Sequence, residues 1–293
     1  MKIHHKAIPD KGALCYSDLK QTKYKLLYFF MMLFMLIVLA ATVIPAIWMV
    51  MSAFKEPSEI ISRNQSFFPK HFNFGKVSIV WKQLKMQTIF VNTVVMSLGC
   101  MAFDVVINGI CGYVLSCIKP KGSSFYLSVI TWLLMVPVVG SLVPNYMLFK
   151  QLNMLDTYWP LWIMSATNVF NIMLFKSSFD NISKSLVESA MIDGASVAKI
   201  FFAIIIPLSM PVIVTVAIFT FNGSLGNFFW PYLILTADNK LVMGVKLYKM
   251  QSSGLSLDRQ MMMLTFSIIP QLVIFALFQR YIVGGINVGG VKG

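Results

Sequence analysis

The sequence predicts an all-α membrane protein with six transmembrane helices. Two observations predict it. Of 293 residues, 57% are apolar and only 12% charged, whereas soluble domains average about a quarter charged. The apolar residues also fall in long runs close to the ~20 residues that a helix needs to cross hydrocarbon. The runs are continuous rather than alternating, which favours helices over barrel strands. The same composition excludes a disordered chain and a soluble enzyme, whose surface needs far more charge.

Six stretches qualify, in order. Residues 1–25 form a polar, lysine-bearing lead, read as a cytoplasmic segment rather than a cleavable signal, because the run that follows is too long for a signal core. Leu26–Met51 carries no charge, and Ile89–Ile118 carries one, Asp104. Phe125–Leu148, Tyr158–Phe175, Phe201–Phe221 and Met261–Phe278 carry none. Pro45, Pro137, Pro144, Pro207, Pro211 and Pro270 lie within or beside these runs, where membrane helices tolerate them as kinks. The six-span domain is therefore expected over 26–283, with a cytoplasmic tail at 284–293.

Sidedness follows from the basic residues. With the N-terminus inside, inner segments hold 13 Lys and Arg and outer loops hold 11, a small bias in the positive-inside direction. Lys20, Lys23 and Lys25, just before the first run, are the better clue. Both termini are thus expected in the cytoplasm. Residues 52–88 and 222–260 are then long outer connections, and 176–200 is the one substantial inner loop. The net charge of +13 would suggest nucleic acid in a soluble protein, but here it reads as Lys at helix ends facing anionic headgroups.

Catalytic machinery is missing. Nothing matches a phosphate loop, a nucleophile elbow, a zinc-protease helix or a dinucleotide fingerprint. The tail comes near a phosphate loop, but Val291 separates Gly290 from Lys292. Cys15, Cys100, Cys111 and Cys117 show no metal spacing, and neither do His4, His5 and His71. A membrane protein without chemistry is a pore, a transporter or a scaffold.

The inner loop is the most informative stretch. Ser185–Glu188 has capping-box spacing, a short helix is expected through Ile192, and Asp193-Gly194 is a stop-and-turn signal. Ala195–Lys199 then starts a helix entering the membrane. From the residues alone, two readings stand: an interfacial helix lying on lipid, or a bend of small residues that another protein approaches closely.

The pattern formed by Glu188, Ala190, Gly194, Ile204 and Pro207 resembles the EAA signature of ABC importer permeases. Ser189 and Ile206 stand where Ala and Leu are more usual. Phe219–Leu235 is similar to a second family segment, with Leu225 and Gly226 where Trp is more usual. Ile269–Gly293, with its Gln-Arg-Tyr and closing Lys-Gly, resembles the tail of carbohydrate-importer permeases of the maltose and oligosaccharide type, second-permease kind. Asn92-Thr93 also matches an Asn-Ser/Thr early in the second span. The resemblance implies a type I importer permease in the bacterial plasma membrane, with a second homologous permease and two cytoplasmic ATPase subunits. It also implies an extracytoplasmic sugar-binding protein and a sugar or oligosaccharide cargo, with membrane lipid around the spans and no nucleic acid. This chain would bind no cofactor, ATP and magnesium being held by the ATPases. The loop 183–200 would be the coupling helix, with Glu188, Ser189, Ala190, Asp193, Gly194, Ala195 and Ser196 at the ATPase contact.

A sugar needs amides, hydroxyls and aromatic faces, and polar residues within spans face a bundle interior or a wet cavity. The candidates for the path are Asn92, Asp104, Asn108, Asn145, Asn168, Asn171 and Asn222. Asp104 equally suits a structural bond between helices. Trp132, Trp159, Trp162 and Trp230 suit either sugar stacking or the interfacial belt. No Lys or Arg lies inside a run, which points to a neutral solute over a glycerol-phosphate-type cargo. A secondary transporter would show inverted repeats and paired intramembrane charges, and neither is visible.

Overall fold

A computed structural model describes residues 22–64, 66–136, 138–251 and 254–285, and among them every regular element is helical. Residues 1–21 and 286–293 lie outside the described residues. So do most of the expected N-terminal segment and tail, together with Cys15 and Pro137.

The chain divides into two units, Met1–Phe72 and Asn73–Gly293. The first contains α1 (Thr22–Ala53) and α2 (Pro57–Ile61). Every side chain from Leu26 to Leu39 is exposed. No face of this stretch is polar, so its natural solvent is lipid or other apolar helices. Just beyond α1, Lys55 is buried; its Nζ donates to the Ser66 carbonyl at 2.5 Å and lies 5.7 Å from the Trp48 ring centroid. A cation sealed in this way has its hydrogen bond and a π-face in place of water.

In the second unit, α3 (Gly75–Gln83) leads into α4 (Met86–Ile118), a continuous span of 33 residues. The chain leaves α4 through Lys119 in the left-handed conformation at φ 47°. There follow α5 (Ser123–Leu133), α6 (Leu142–Gln151), α7 (Trp159–Ser165), α8 (Val169–Asp180) and α9 (Lys184–Ile192). Next come α10 (Val197–Leu208), α11 (Met210–Gly226), α12 (Phe229–Ile234), α13 (Met243–Gln251) and α14 (Leu257–Gly285).

Three of the six expected runs are not single helices. Phe125–Leu148 is divided between α5 and α6, and Tyr158–Phe175 between α7 and α8. Phe201–Phe221 bends by 77° between α10 and α11. Pro211, at the start of α11, has no N–H to give the preceding turn, and Ser209 instead bonds the Ile205 and Ile206 carbonyls. Among the described residues, three helices are individually long and apolar enough to cross a membrane, and the bent pair supplies a fourth. Among the described residues, Ser123–Leu133 is an apolar helix too short to cross alone, and turns interrupt the other pieces.

Two packing centres hold this unit. One joins Met96 and Cys100 of α4 to Phe149, Leu161, Ile234, Leu241 and Val245. The other joins Tyr113 to Phe175, Phe179, Ile200, Ile205 and Val216, with Val187, Ala190 and Ala195 packed on it. Glycines allow α4 to come this close. A Cβ on Gly99 would meet the Trp162 ring at 2.1 Å, and one on Gly112 would sit 2.7 Å from Phe175 Cβ. At the end of the first centre, Asp156 fastens the exit of α12. It accepts from the Thr236 and Ala237 amides at 2.6 and 2.8 Å and from the Thr236 hydroxyl.

Partial burial of Asp156 opposes its charge, but the donors of Ala237 and Thr236, with Lys249 nearby, outweigh this and hold the carboxyl below its ordinary value. A depressed folded value means that the carboxylate stabilises the fold above the unfolded value of about 3.9 and loses that contribution as pH falls through the folded one. Asp156→Asn is therefore expected to melt below the wild type by a constant margin from neutral pH down to about pH 5. The margin should close in more acid solution, as thermal denaturation in detergent across pH would show.

Candidate functional site

Midway along α4, between the two packing centres, the helix takes a π-turn at Asp104–Asn108. Such a bulge inserts an extra residue and re-aims side chains, often at functional positions. Here it carries Asp104 and Asn108, both fully buried. Three side chains donate to Asp104: Asn108 Nδ2 from the next turn, Asn171 Nδ2 from α8 at 2.7 Å, and Thr220 Oγ1 from α11. Asn108 Nδ2 also reaches the Ser165 carbonyl at 3.2 Å. A charged side chain in the middle of a span is costly unless it is hydrogen-bonded on every side, and here three helices supply the donors.

The network borders a cavity of about 610 Å3, within the ~300–1,000 Å3 typical of small-molecule sites. Asp104, Asn168, Asn171, Thr215 and Thr220 line it, together with Ser165, Ser224, Asn227 and Trp230. Apolar groups such as Met96, Leu161, Phe170 and Phe219 complete the wall. The two short helices α7 and α8 meet at Asn168, whose side-chain oxygen caps α8 by accepting from the Asn171 amide at 3.2 Å. One asparagine thus starts α8 and lines the cavity.

The structure therefore brings four of the seven candidate path residues, Asp104, Asn108, Asn168 and Asn171, to one place. Asn92 is elsewhere, donating to the Asn239 and Leu241 carbonyls at 2.9 and 3.0 Å. Asn145 sits half-buried in α6 and Asn222 is exposed on α11; neither borders the cavity. Thr215, Thr220 and Ser224 also border it; the sequence does not single them out, because hydroxyls in apolar helices usually satisfy themselves on the preceding turn. Asn227 borders it from beyond the end of the expected run 201–221. Of the tryptophans, Trp230 lines the cavity, whereas Trp162 is structural, donating to the Met96 carbonyl at 3.0 Å and stacking on Phe103. Trp132 is exposed.

The inner loop forms a second site. α9 has no buried residue, and its start differs from the capping-box expectation. The N-cap is Ser183, whose hydroxyl pairs with Ser185 Oγ at 2.7 Å rather than with a backbone amide. Its end is a Schellman motif. The Ala195 amide reaches back to the Ala190 carbonyl at 2.9 Å and the Gly194 amide to the Met191 carbonyl at 3.0 Å, with Gly194 at φ +78°. Ser196 then caps α10 on the Lys199 amide. Ala190 and Ala195 rest on the second packing centre, while Glu188, Ser189, Asp193, Gly194 and Ser196 face outward. Met191 and Ile192 are 53% and 86% exposed.

An all-helical membrane chain with a largely apolar cavity carrying a few convergent amides and hydroxyls has the form of a solute permease. The profile of the family described as "binding-protein-dependent transport system inner membrane component" matches residues 109–288, and the chain belongs to that family. It is 32% identical over 264 residues to the probable ABC transporter permease protein YurM of Bacillus subtilis (strain 168), covering 89% of this chain and 87% of that one. It is 31% identical over 291 residues to the galactooligosaccharides transport system permease protein GanQ of the same organism, covering 94% and 99%. Among solved structures, a bacterial ABC transporter involved in import of the acidic polysaccharide alginate superposes with a TM-score of 0.80 at 21% identity, over 89% of this chain and 98% of that one. The fold is therefore that of the type I importer permeases. The chain is a multi-pass transport subunit, not an enzyme, and binds no cofactor of its own.

Proposed function

We propose that this chain is one of two permease subunits of an ATP-driven importer for a sugar or oligosaccharide. An extracytoplasmic binding protein delivers the cargo, two cytoplasmic ATPase subunits supply the energy, and both termini lie in the cytoplasm. The six-span domain runs over 26–283, between the cytoplasmic segments 1–25 and 284–293. The observation that carries the sugar reading is the cavity: amides, hydroxyls and the Trp230 ring converge there, with no basic side chain. Near full-length likeness to a galactooligosaccharide permease supports it. Cells expressing the complete importer should accumulate labelled neutral oligosaccharides, and deleting this subunit should abolish uptake. Failure to accumulate any member of a broad sugar panel would refute the sugar reading.

In this reading, residues 183–200 couple the permease to an ATPase subunit through Glu188, Ser189, Ala190, Asp193, Gly194, Ala195 and Ser196. The exposed Met191 and Ile192 suit burial against a partner. Because Val187, Ala190 and Ala195 pack on Phe175, Phe179, Ile200 and Ile205, a push on α9 passes to α8 and α10. A rigid-body rocking of the spans then exposes the cavity alternately to each side. Gly194 tests this. A Cβ there meets nothing within 4 Å, but its φ is +78°, which costs a branched residue about 1–2 kcal/mol. Gly194→Leu is expected to insert normally yet lose transport-linked ATP hydrolysis by about tenfold or more, a loss equivalent to ~1.4 kcal/mol of docking. Normal coupling in that variant would remove the docking assignment.

A further inference from the structure

The cavity wall is polarised in one direction. We propose that this selects uncharged, hydroxyl-rich oligosaccharides and turns away uronate-bearing ones, with Asp104 and its donors setting the selectivity. The inference rests on the sugar reading above. A hydroxyl has one proton to donate, and each lining hydroxyl has directed it into the protein. Ser165 donates to the Leu161 carbonyl at 2.9 Å, Thr215 to Pro211 at 2.7 Å and Ser224 to Phe221 at 2.7 Å. Thr220 donates to Asp104, and the Asn171 amide nitrogen is turned to the same carboxyl at 2.7 Å.

These hydroxyls can offer a ligand only lone pairs. A sugar hydroxyl donates as well as accepts, so it bonds to such a wall. A uronate carboxylate only accepts, and the Thr220 hydroxyl and one Asn171 N–H are already committed to Asp104, which leaves it only neutral amide and indole donors. The lining contains no Lys, Arg or His, so an anionic cargo meets no counter-charge in a low-dielectric site. The remaining neutral donors, the second Asn171 N–H, Asn168, Asn227 and the Trp230 indole, suffice to orient a sugar but carry no compensating charge. Family membership leaves cargo charge open, because the similar proteins include one named for galactooligosaccharides and one for acidic alginate.

The test uses the purified permease–ATPase complex in lipid nanodiscs, without the solute-binding protein, so that the latter's own selectivity does not enter. Binding is measured for galactotriose and maltotriose against trigalacturonate. The wild type is expected to bind a neutral trisaccharide at least about tenfold more tightly. Gly223 lines the cavity, and a Cβ there meets nothing within 4 Å, so Gly223→Lys brings an ammonium to the wall with room for its first side-chain atom. That variant should bind trigalacturonate at least about tenfold better than the wild type. Asp104→Asn should narrow the neutral-to-acidic ratio. Equal binding of both classes by the wild type, or an unchanged ratio in Gly223→Lys, overturns the inference. Tight trigalacturonate binding would leave the sugar reading standing, whereas failure of all three sugars to bind would remove both.

Discussion

Asp104→Ala is expected to destabilise the subunit by about 2–4 kcal/mol, because it orphans buried donors rather than merely removing a contact. The three donors do not fare equally. Asn108 Nδ2 keeps the Ser165 carbonyl at 3.2 Å, while Asn171 and Thr220 border the cavity and can recruit water, each at a partial loss. The cost therefore falls short of the full penalty for three stranded groups. In a domain of this size about 1 kcal/mol moves Tm by roughly 2–4 °C, so thermal denaturation of the detergent-solubilised protein should show a drop of roughly 5–15 °C. A double-mutant cycle sharpens the test. Thr220→Val in the Asp104→Ala background should cost clearly less than Thr220→Val alone, since residues in one network do not add. Strict additivity would show that the three helices are not tied through this carboxyl.

Gly112→Leu is the second large effect, and it arises from shape rather than charge. The added Cβ would lie 2.7 Å from Phe175 Cβ and 3.0 Å from the Lys176 backbone nitrogen. The backbone of α8 cannot step aside cheaply, because Phe175 is fully buried in the centre that also holds Phe179, Ile200 and Ile205. Overpacking of this kind costs about 1–3 kcal/mol even for small additions, and a leucine exceeds that by forcing α4 off α8. Since α9 rests on the same centre, the variant should lose stability and, under the docking role proposed for α9, transport-linked ATP hydrolysis with it. Gly109→Ala, one turn earlier, is the control. Its Cβ would meet only the Phe175 ring edge at 4.0 Å, an ordinary contact. Helix propensity favours alanine there by about 1 kcal/mol, so Tm should hold or rise slightly. A fall in Tm equal to that of the Gly112 variant would show that the close approach is misplaced.

The legibility of the chain varied with the range of the forces involved. Leu26–Met51, Ile89–Ile118 and Met261–Phe278 read directly, because a helix that satisfies its own backbone in lipid needs only an unbroken apolar run; they appear within α1, α4 and α14. Phe201–Phe221 read as one span but bends, since hydropathy is blind to what Ser209 and Pro211 do to the hydrogen-bond ladder. In the inner loop the stop at Gly194 was local chemistry and therefore readable. The helix start was not, because Ser183 and Ser185 compete for the same role.

The sequence by itself determined the solvent, the helical class, the turn at Asp193-Gly194 and the identity of the one acid inside a span. All of these follow from hydropathy and local backbone preference. Only the tertiary structure decided which polar residues belong together. Asp104 finds Asn171 on α8, 67 positions along the chain, and Thr220 on α11, 116 positions along. Asn92, Asn145 and Asn222 look equally eligible in the sequence but lie away from the cavity. The reason is that a buried carboxyl is satisfied by whichever donors packing brings within ~3 Å, and packing is set by close approaches such as those at Gly99 and Gly112 rather than by the polarity of the residues that meet.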